Sequence, residues 1–246
     1  MRIGIFGDSF ADSKNGGTQF NQQGSWPQLL ANTKKIKVEN HALVGSGIEY
    51  SLMKLFEVGS RYDKLILTVT SPERLYINPD NHHKLLDDNE VFHHIRPTDI
   101  RKRKKDTFFN KANDVALEHY NIFNNDDTNN IRTALYIKAL RDYFGGKILL
   151  LTCTNQSTKY NKDLNAWPHN ELSLIDIFYH ENKTLFPDGK IDWENDQRSC
   201  HLTHWHHKML YGKILKWIET DKFKLTKKDL LSLDKDEVIQ GYFGKW

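Results

Sequence analysis

Near the start of this 246-residue chain, Gly7, Asp8 and Ser9 follow directly on a short apolar run, Arg2 to Phe6. A serine hydroxyl is a weak nucleophile at its free pKa. It needs an adjacent base, an exposed position and N–H donors facing the oxyanion that forms on attack. A turn after a strand supplies the exposure, and the N–H of Ser9 itself is a candidate donor. Far along the chain, His201, Leu202 and Thr203 precede a helical pattern that carries His204, His206 and His207. Thr203 is a helix cap by type, which leaves His201 on the preceding loop, where a base reaching Ser9 would sit. Each signal alone has a plainer reading. Gly-Asp-Ser is a common turn, and a lone histidine is more often structural than catalytic. The four histidines between 201 and 207 invite a metal, but their order matches no zinc signature and no acidic or cysteine ligand set accompanies them. The expectation is no metal and no cofactor.

The elements that must position these residues can be read from periodicity. Arg2–Phe6 reads as a buried strand. Ser25, Trp26 and Pro27 open a helix with Trp26, Leu29 and Leu30 toward the core. Lys35–Val38 alternates as a second strand, and a turn with two glycines, Gly45 and Gly47, follows. Ile48–Val58 is a helix, and Asp63–Val69 is a strongly apolar third strand. Ile131–Phe144 has helical spacing and ends at Gly145 and Gly146. Lys147–Cys153 is a fourth strand. A connection containing tryptophan and asparagine leads to His201 and to a helix over about 204–220. Strands alternating with helices predict a parallel sheet covered on both faces. Thr226 and Asp229 form a capping-box pattern with Asp in the usual Glu or Gln position. Residues 78 to about 130 are polar and irregular and read as an insertion.

Composition bounds the function. Hydrophobic residues make up 38% and charged residues 27% of the chain, a globular profile on the polar side, with no apolar run long enough for a membrane span. A net charge of only +3 argues against a general nucleic-acid role. Cys153 and Cys200 form no CxxC pair and read as free thiols of a reducing compartment. The opening residues lack the long apolar core of a signal peptide. The expectation is a cytoplasmic protein, or one released without a classical signal.

Taken together, three blocks resemble the SGNH (GDSL-type) serine hydrolases. Ile3 to Phe10 is similar to their first block, Asn40 to Ser46 to their second, and His201 to His207 to their last. Residues 1–75 and about 130–220 fit the family layout. The resemblance implies a three-layer αβα, flavodoxin-like fold with a central parallel sheet. It divides the chain into a hydrolase domain, 1–220, carrying the insertion at about 78–130, and a helical, aromatic tail, 221–246. It implies that Ser9 attacks an ester carbonyl, that His201 is the base, and that the N–H groups of Ser9 and Gly45 hold the oxyanion. Asp8 is placed beside substrate. The implied substrate is a small-molecule or glycan ester, with O-acetylated carbohydrate favoured.

Two positions depart from the pattern. Where the family's third block presents an oxyanion asparagine, this chain has Pro72, which has nothing to donate. Ser71, Thr70 or Arg74 takes over, or backbone donors act alone. Arg74 could instead hold an anionic substrate group. Where the family has Asp three residues before its histidine, this chain has Arg198. Asp196 is the preferred acid, with Asp192, Glu194 or a Ser–His dyad as alternatives. These departures motivate a second reading, a non-catalytic or weakly active module of the same fold. Further features are weaker. The basic run Arg101–Lys105 is a solvated face or a polyanion contact. Trp167, Trp193 and Trp205 could form a sugar platform. The aromatic tail packs on its own domain or serves a second subunit. Neither a membrane nor a nucleic acid is an expected partner.

Overall fold

The computed structural model describes residues 1–12, 24–43, 46–70, 75–76, 94–95, 118, 125–153, 158–165, 168–170, 173–185, 188, 202–226 and 228–229. Four parallel strands form the centre: β1 (Arg2–Phe6), β2 (Lys37–Asn40), β3 (Lys64–Val69) and β6 (Ile148–Thr152), side by side in the order β2-β1-β3-β6. A separate antiparallel pair joins β4 (Leu75–Tyr76) to β5 (His94–Ile95). The helices are α1 (Trp26–Ala31), α2 (Ile48–Val58), α3 (Asp126–Phe144), α4 (Thr158–Asp163), α5 (Leu174–Leu185) and α6 (His204–Thr220).

Residue parity in the strands decides the layers. Ile3, Ile5, Ile66, Leu149 and Leu151 point to one face, where they meet Trp26 and Leu30 of α1, Leu174 and Ile177 of α5, and Leu210, Ile214 and Trp217 of α6. Phe6, Leu65, Leu67, Val69, Ile148 and Leu150 point to the other, against Ile48, Leu55 and Val58 of α2 and Ala134, Ile137 and Leu140 of α3. Successive residues therefore feed two different cores, which is why these strands read as unbroken apolar runs. Each such buried side chain stabilises the fold by roughly 1.5–3 kcal/mol relative to exposure. The result is the expected α/β arrangement, a parallel sheet between two helical layers. Among the described residues, no helix is long and apolar enough to cross a membrane.

Several boundaries differ from the sequence reading. The second strand begins at Lys37 rather than Lys35, because Lys35 has φ 70° and sits in a turn. Helix α3 begins at Asp126, five residues before Ile131. Asn125 caps it, its side chain accepting from the Thr128 N–H at 3.0 Å. This first turn is polar, so periodicity could not announce it. Helix α5 lies where only a connection was expected. Ser25 and Thr203 occupy N-cap positions, but neither hydroxyl makes the capping bond. The Thr226–Asp229 box does form: Asp229 Oδ2 accepts from Thr226 N at 2.7 Å and from its hydroxyl at 3.1 Å.

Among the described residues, the side of β6 away from β3 is paired by His169 and Asn170. The Leu150 N–H donates to His169 Nδ1 at 3.0 Å, and the His169 N–H donates to the Leu150 carbonyl at 3.0 Å. The Thr152 N–H donates to Asn170 Oδ1 at 2.9 Å, while Asn170 Nδ2 donates to the Thr152 carbonyl at 3.1 Å. Burial, together with the nearby charge of Arg141, holds the His169 imidazole down at about 4, from an ordinary 6.5. A protonated Nδ1 could not accept from Leu150. Below pH 6.5 the unfolded chain takes up a proton that the folded protein refuses, so this histidine's contribution is present above pH 6.5 and is lost as pH falls toward 4. Asparagine at position 169 would keep an acceptor without titrating. Between pH 7 and 4.5, urea unfolding is expected to show wild type losing about 2 kcal/mol more than His169→Asn. Parallel pH dependences in the two proteins would refute a neutral buried imidazole.

Candidate active site

The carboxyl end of β1 lies at the point where chain order reverses across the sheet, with β2 on one side and β3 on the other. Clefts of open α/β sheets form at such points. The chain leaves β1 through Gly7, whose φ is 135°. A Cβ built on Gly7 would lie 1.8 Å from Thr68 Oγ1 and 2.9 Å from the Thr68 carbonyl oxygen. Only glycine accepts both the angle and the contact.

Asp8 holds the turn that follows. Its N–H donates to Thr68 Oγ1 at 3.3 Å. Its carboxylate accepts from the Phe10 N–H at 3.2 Å and the Thr70 hydroxyl at 2.8 Å. The Thr68 hydroxyl and the Cys153 thiol approach the same carboxylate at 3.5 and 3.4 Å. Asp8 is only 1% exposed. Its carboxylate faces the ends of β3 and β6 and anchors the turn. Because the Thr70 hydroxyl donates to Asp8, it is not aimed at an oxyanion. Cys153 is buried, and Cys200 lies outside the described residues. Ser9 is half-buried in a turn, in which the N–H groups of Ala11 and Asp12 both donate to the Asp8 carbonyl at 2.9 Å.

The loop expected to supply the second oxyanion donor is tied to the same turn. The Leu43 N–H donates to the Gly7 carbonyl at 3.0 Å, and the Ser46 hydroxyl donates to that oxygen at 2.9 Å. Asn40 Nδ2 donates to the Ala11 carbonyl at 2.8 Å. His41 stacks on Phe6 at 5.1 Å, and its Nε2 meets the Tyr62 hydroxyl at 2.6 Å. That hydroxyl donates to Glu39 at 2.8 Å; burial and this carboxylate push the Tyr62 phenol up to about 12. Gly45 lies in sequence between two residues bound to Gly7 or its loop, and is itself outside the described residues.

Trp26 joins the nucleophile turn to helix α6. Its indole N–H donates to the Phe10 carbonyl at 2.8 Å, and its backbone N–H donates to His207 Nδ1 at 3.2 Å. At the start of α6, the Thr203 N–H donates to Glu181 Oε1 at 2.8 Å, and His206 Nδ1 meets the same oxygen. Glu181 was not among the residues picked from sequence, and His206 was noted there only as one of four histidines that could invite a metal. Their signal was present: Leu174, Ile177, Phe178 and Glu181 share one helical stripe, and a carboxylate on a buried stripe is unusual. His201, Asp196, Ser71 and Arg74 lie outside the described residues, as do Asp192, Glu194, Pro72, Trp167 and Trp193. Trp205 is half-buried, with its ring edge-on to His206 at 5.7 Å. Among the described residues, no group of three or more His, Cys, Asp or Glu could hold a metal ion.

No protein-family model matches the chain, and no curated protein matches it. Among solved structures it is similar to the acetyl xylan esterase AlAXEase, with 14% identity and a TM-score of 0.44, over 89% of this chain and 100% of that one. It is also similar to the psychrotrophic esterase EstA from Pseudoalteromonas sp., solved inhibited by monoethylphosphonate, with 14% identity and a TM-score of 0.37 over 89% and 99%. A third is an extracellular lipase from Streptomyces rimosus, with 14% identity and a TM-score of 0.32 over 67% and 70%.

Proposed function

We propose that this chain is a serine hydrolase of carboxylic esters, of the SGNH type, acting on O-acetylated carbohydrate. The observation that carries the reading is the position of Ser9: at the carboxyl end of β1, at the reversal point of the sheet, on a turn that needs Gly7 and is anchored by Asp8. In this reading Ser9 Oγ attacks the ester carbonyl while His201 takes its proton, with Asp196 orienting the imidazole. The oxyanion is held by the N–H groups of Ser9 and Gly45, aided by Ser71, and Arg74 contacts substrate. Collapse of the tetrahedral intermediate breaks the C–O bond, and the alcohol leaves with the proton from His201. Water, activated by the same imidazole, then releases the acid and restores Ser9.

The rival is a non-catalytic module of the same fold. It draws on Pro72 in place of an oxyanion asparagine and on the Thr70 hydroxyl donating to Asp8. A fluorophosphonate probe separates the two. Peptide mass spectrometry is expected to find a single adduct, on Ser9. Folded protein that takes no label at Ser9 would establish the rival.

A further inference from the structure

We propose that Glu181 of α5 is a positioning residue for the base: with His206 it clamps the backbone at Thr203 and so sets where His201 enters the active site. The proposal rests on the reading of Ser9 and His201 as nucleophile and base.

An N-terminal helix turn leaves backbone N–H groups without partners. In a capping box, the side chain three residues inside the helix turns back to accept the N–H of the cap residue. In α6 that inner residue is His206, and it does not take the Thr203 N–H. Its Nδ1 faces Glu181 Oε1 and also lies 3.1 Å from Thr203 Oγ1. The acceptor for the Thr203 N–H is Glu181, supplied from α5 across 22 residues of sequence, at 2.8 Å. The register of α6 is therefore tied to a second helix and not only to itself.

The pair is fully enclosed: Glu181 and His206 are both 0% exposed. A carboxylate acceptor for Nδ1 requires a proton there. Among the described residues His206 Nε2 has no hydrogen-bond partner, so the interaction that holds this ring is the one at Nδ1. An apolar side chain on this stripe of α5 would pack without the cost of removing a carboxylate from water. What the carboxylate adds is a directed bond to one backbone N–H. That N–H is two residues from His201, and the intervening Leu202 is itself buried in the core. With Cα atoms about 3.8 Å apart along the chain, fixing Leu202 and Thr203 fixes the backbone to which position 201 is joined. Through Trp26 and His207, the same end of α6 is linked to the turn that carries Ser9. The turn of Ser9 and the start of α6 are thus held in one frame.

The test compares Glu181→Met, Glu181→Ala and Glu181→Gln with wild type. Met fills a similar volume and offers no acceptor, so it serves if the Ala variant fails to fold. Gln keeps an oxygen that can accept from both Thr203 N and His206 Nδ1. On p-nitrophenyl acetate, the Met or Ala variant is expected to lose about 30-fold or more in kcat, with KM within about twofold. A displacement of about 1 Å at a reacting group can cost about 10²-fold. The Gln variant should recover to within about fivefold of wild type. A folded Met or Ala variant within about threefold of wild type, or a Gln variant as slow as they are, would overturn the proposal. A readout without substrate keeps it separate from the hydrolase reading. The His201 imidazole 1H–13C resonance should shift in the Met variant and return in the Gln variant. If wild type neither hydrolyses ester nor labels at Ser9, the hydrolase reading falls, and an unmoved His201 resonance in the Met variant would still overturn the clamp.

Discussion

Ser9→Ala is expected to lower kcat/KM for p-nitrophenyl acetate by about 10⁴-fold or more while leaving the thermal midpoint almost unchanged. Removing Oγ removes the atom that forms the acyl bond, and nothing else on the turn can replace it. What remains is the acceleration from binding and from oxyanion donors, typically about 10³–10⁴ over water in enzymes stripped of their nucleophile. The backbone of the turn is held by Gly7, Asp8 and the indole of Trp26, not by the Ser9 hydroxyl alone. Loss of activity without loss of fold is thus the signature sought. The measurement is a saturation curve of p-nitrophenol release, paired with a circular-dichroism melt. Equal saturable turnover by wild type and Ser9→Ala would sink the hydrolase reading outright.

Gly7→Ala is expected to be the most damaging single methyl in the molecule. The added carbon meets two independent obstacles. At φ 135° an L-residue is strained by about 1–3 kcal/mol. The new Cβ would also lie 1.8 Å from Thr68 Oγ1 and 2.9 Å from the Thr68 carbonyl oxygen. The hydroxyl could rotate away, at the expense of its bonds with the Asp8 N–H and carboxylate. The carbonyl belongs to a central strand and has no such freedom. Overpacking of this kind adds about 1–3 kcal/mol. A total near 4 kcal/mol is a large part of the roughly 5–15 kcal/mol that stabilises a typical domain. For a chain of this size it corresponds to a melting temperature lower by about 8–16 °C. Phosphonate labelling at residue 9 should fall with it, because the turn moves before the protein unfolds. A melt within about 2 °C of wild type would show that the turn has a conformation other than the one described.

How much could be read beforehand follows from which forces leave a local mark. The two cores were legible because alternate residues of β1, β3 and β6 are apolar on both faces, a pattern little else produces. The turn that carries Ser9 was legible because Gly-Asp-Ser follows such a strand directly. The first turn of α3 was hidden because its stabilisation comes from the Asn125 cap and not from apolar spacing. Helix α5 was hidden for the opposite reason: its buried stripe includes Glu181, so a polar letter stood where the pattern calls for an apolar one. Lys35 had strand-like neighbours, but its left-handed backbone is imposed by the turn around it. The anchoring contacts of Asp8 were hidden because its three hydroxyl and thiol neighbours, Thr68, Thr70 and Cys153, are distant in sequence. They meet only when β1, β3 and β6 lie in register.

The side chains of His169 and Asn170 along β6 bear on how the molecule behaves in company. An outermost strand ordinarily offers a row of donors and acceptors on which a strand of another molecule can crystallise, the first step toward fibrils. Here the N–H and C=O groups of Leu150 and of Thr152 are already engaged. The His169 main chain and the two side chains take the place of a neighbouring strand there, and Asn170 is itself bridged to Leu225. The guard is chemical as well as steric, because one of its two members works only while its imidazole is uncharged. Acid that protonates His169 therefore weakens the fold and frees the Leu150 N–H on this edge in the same step.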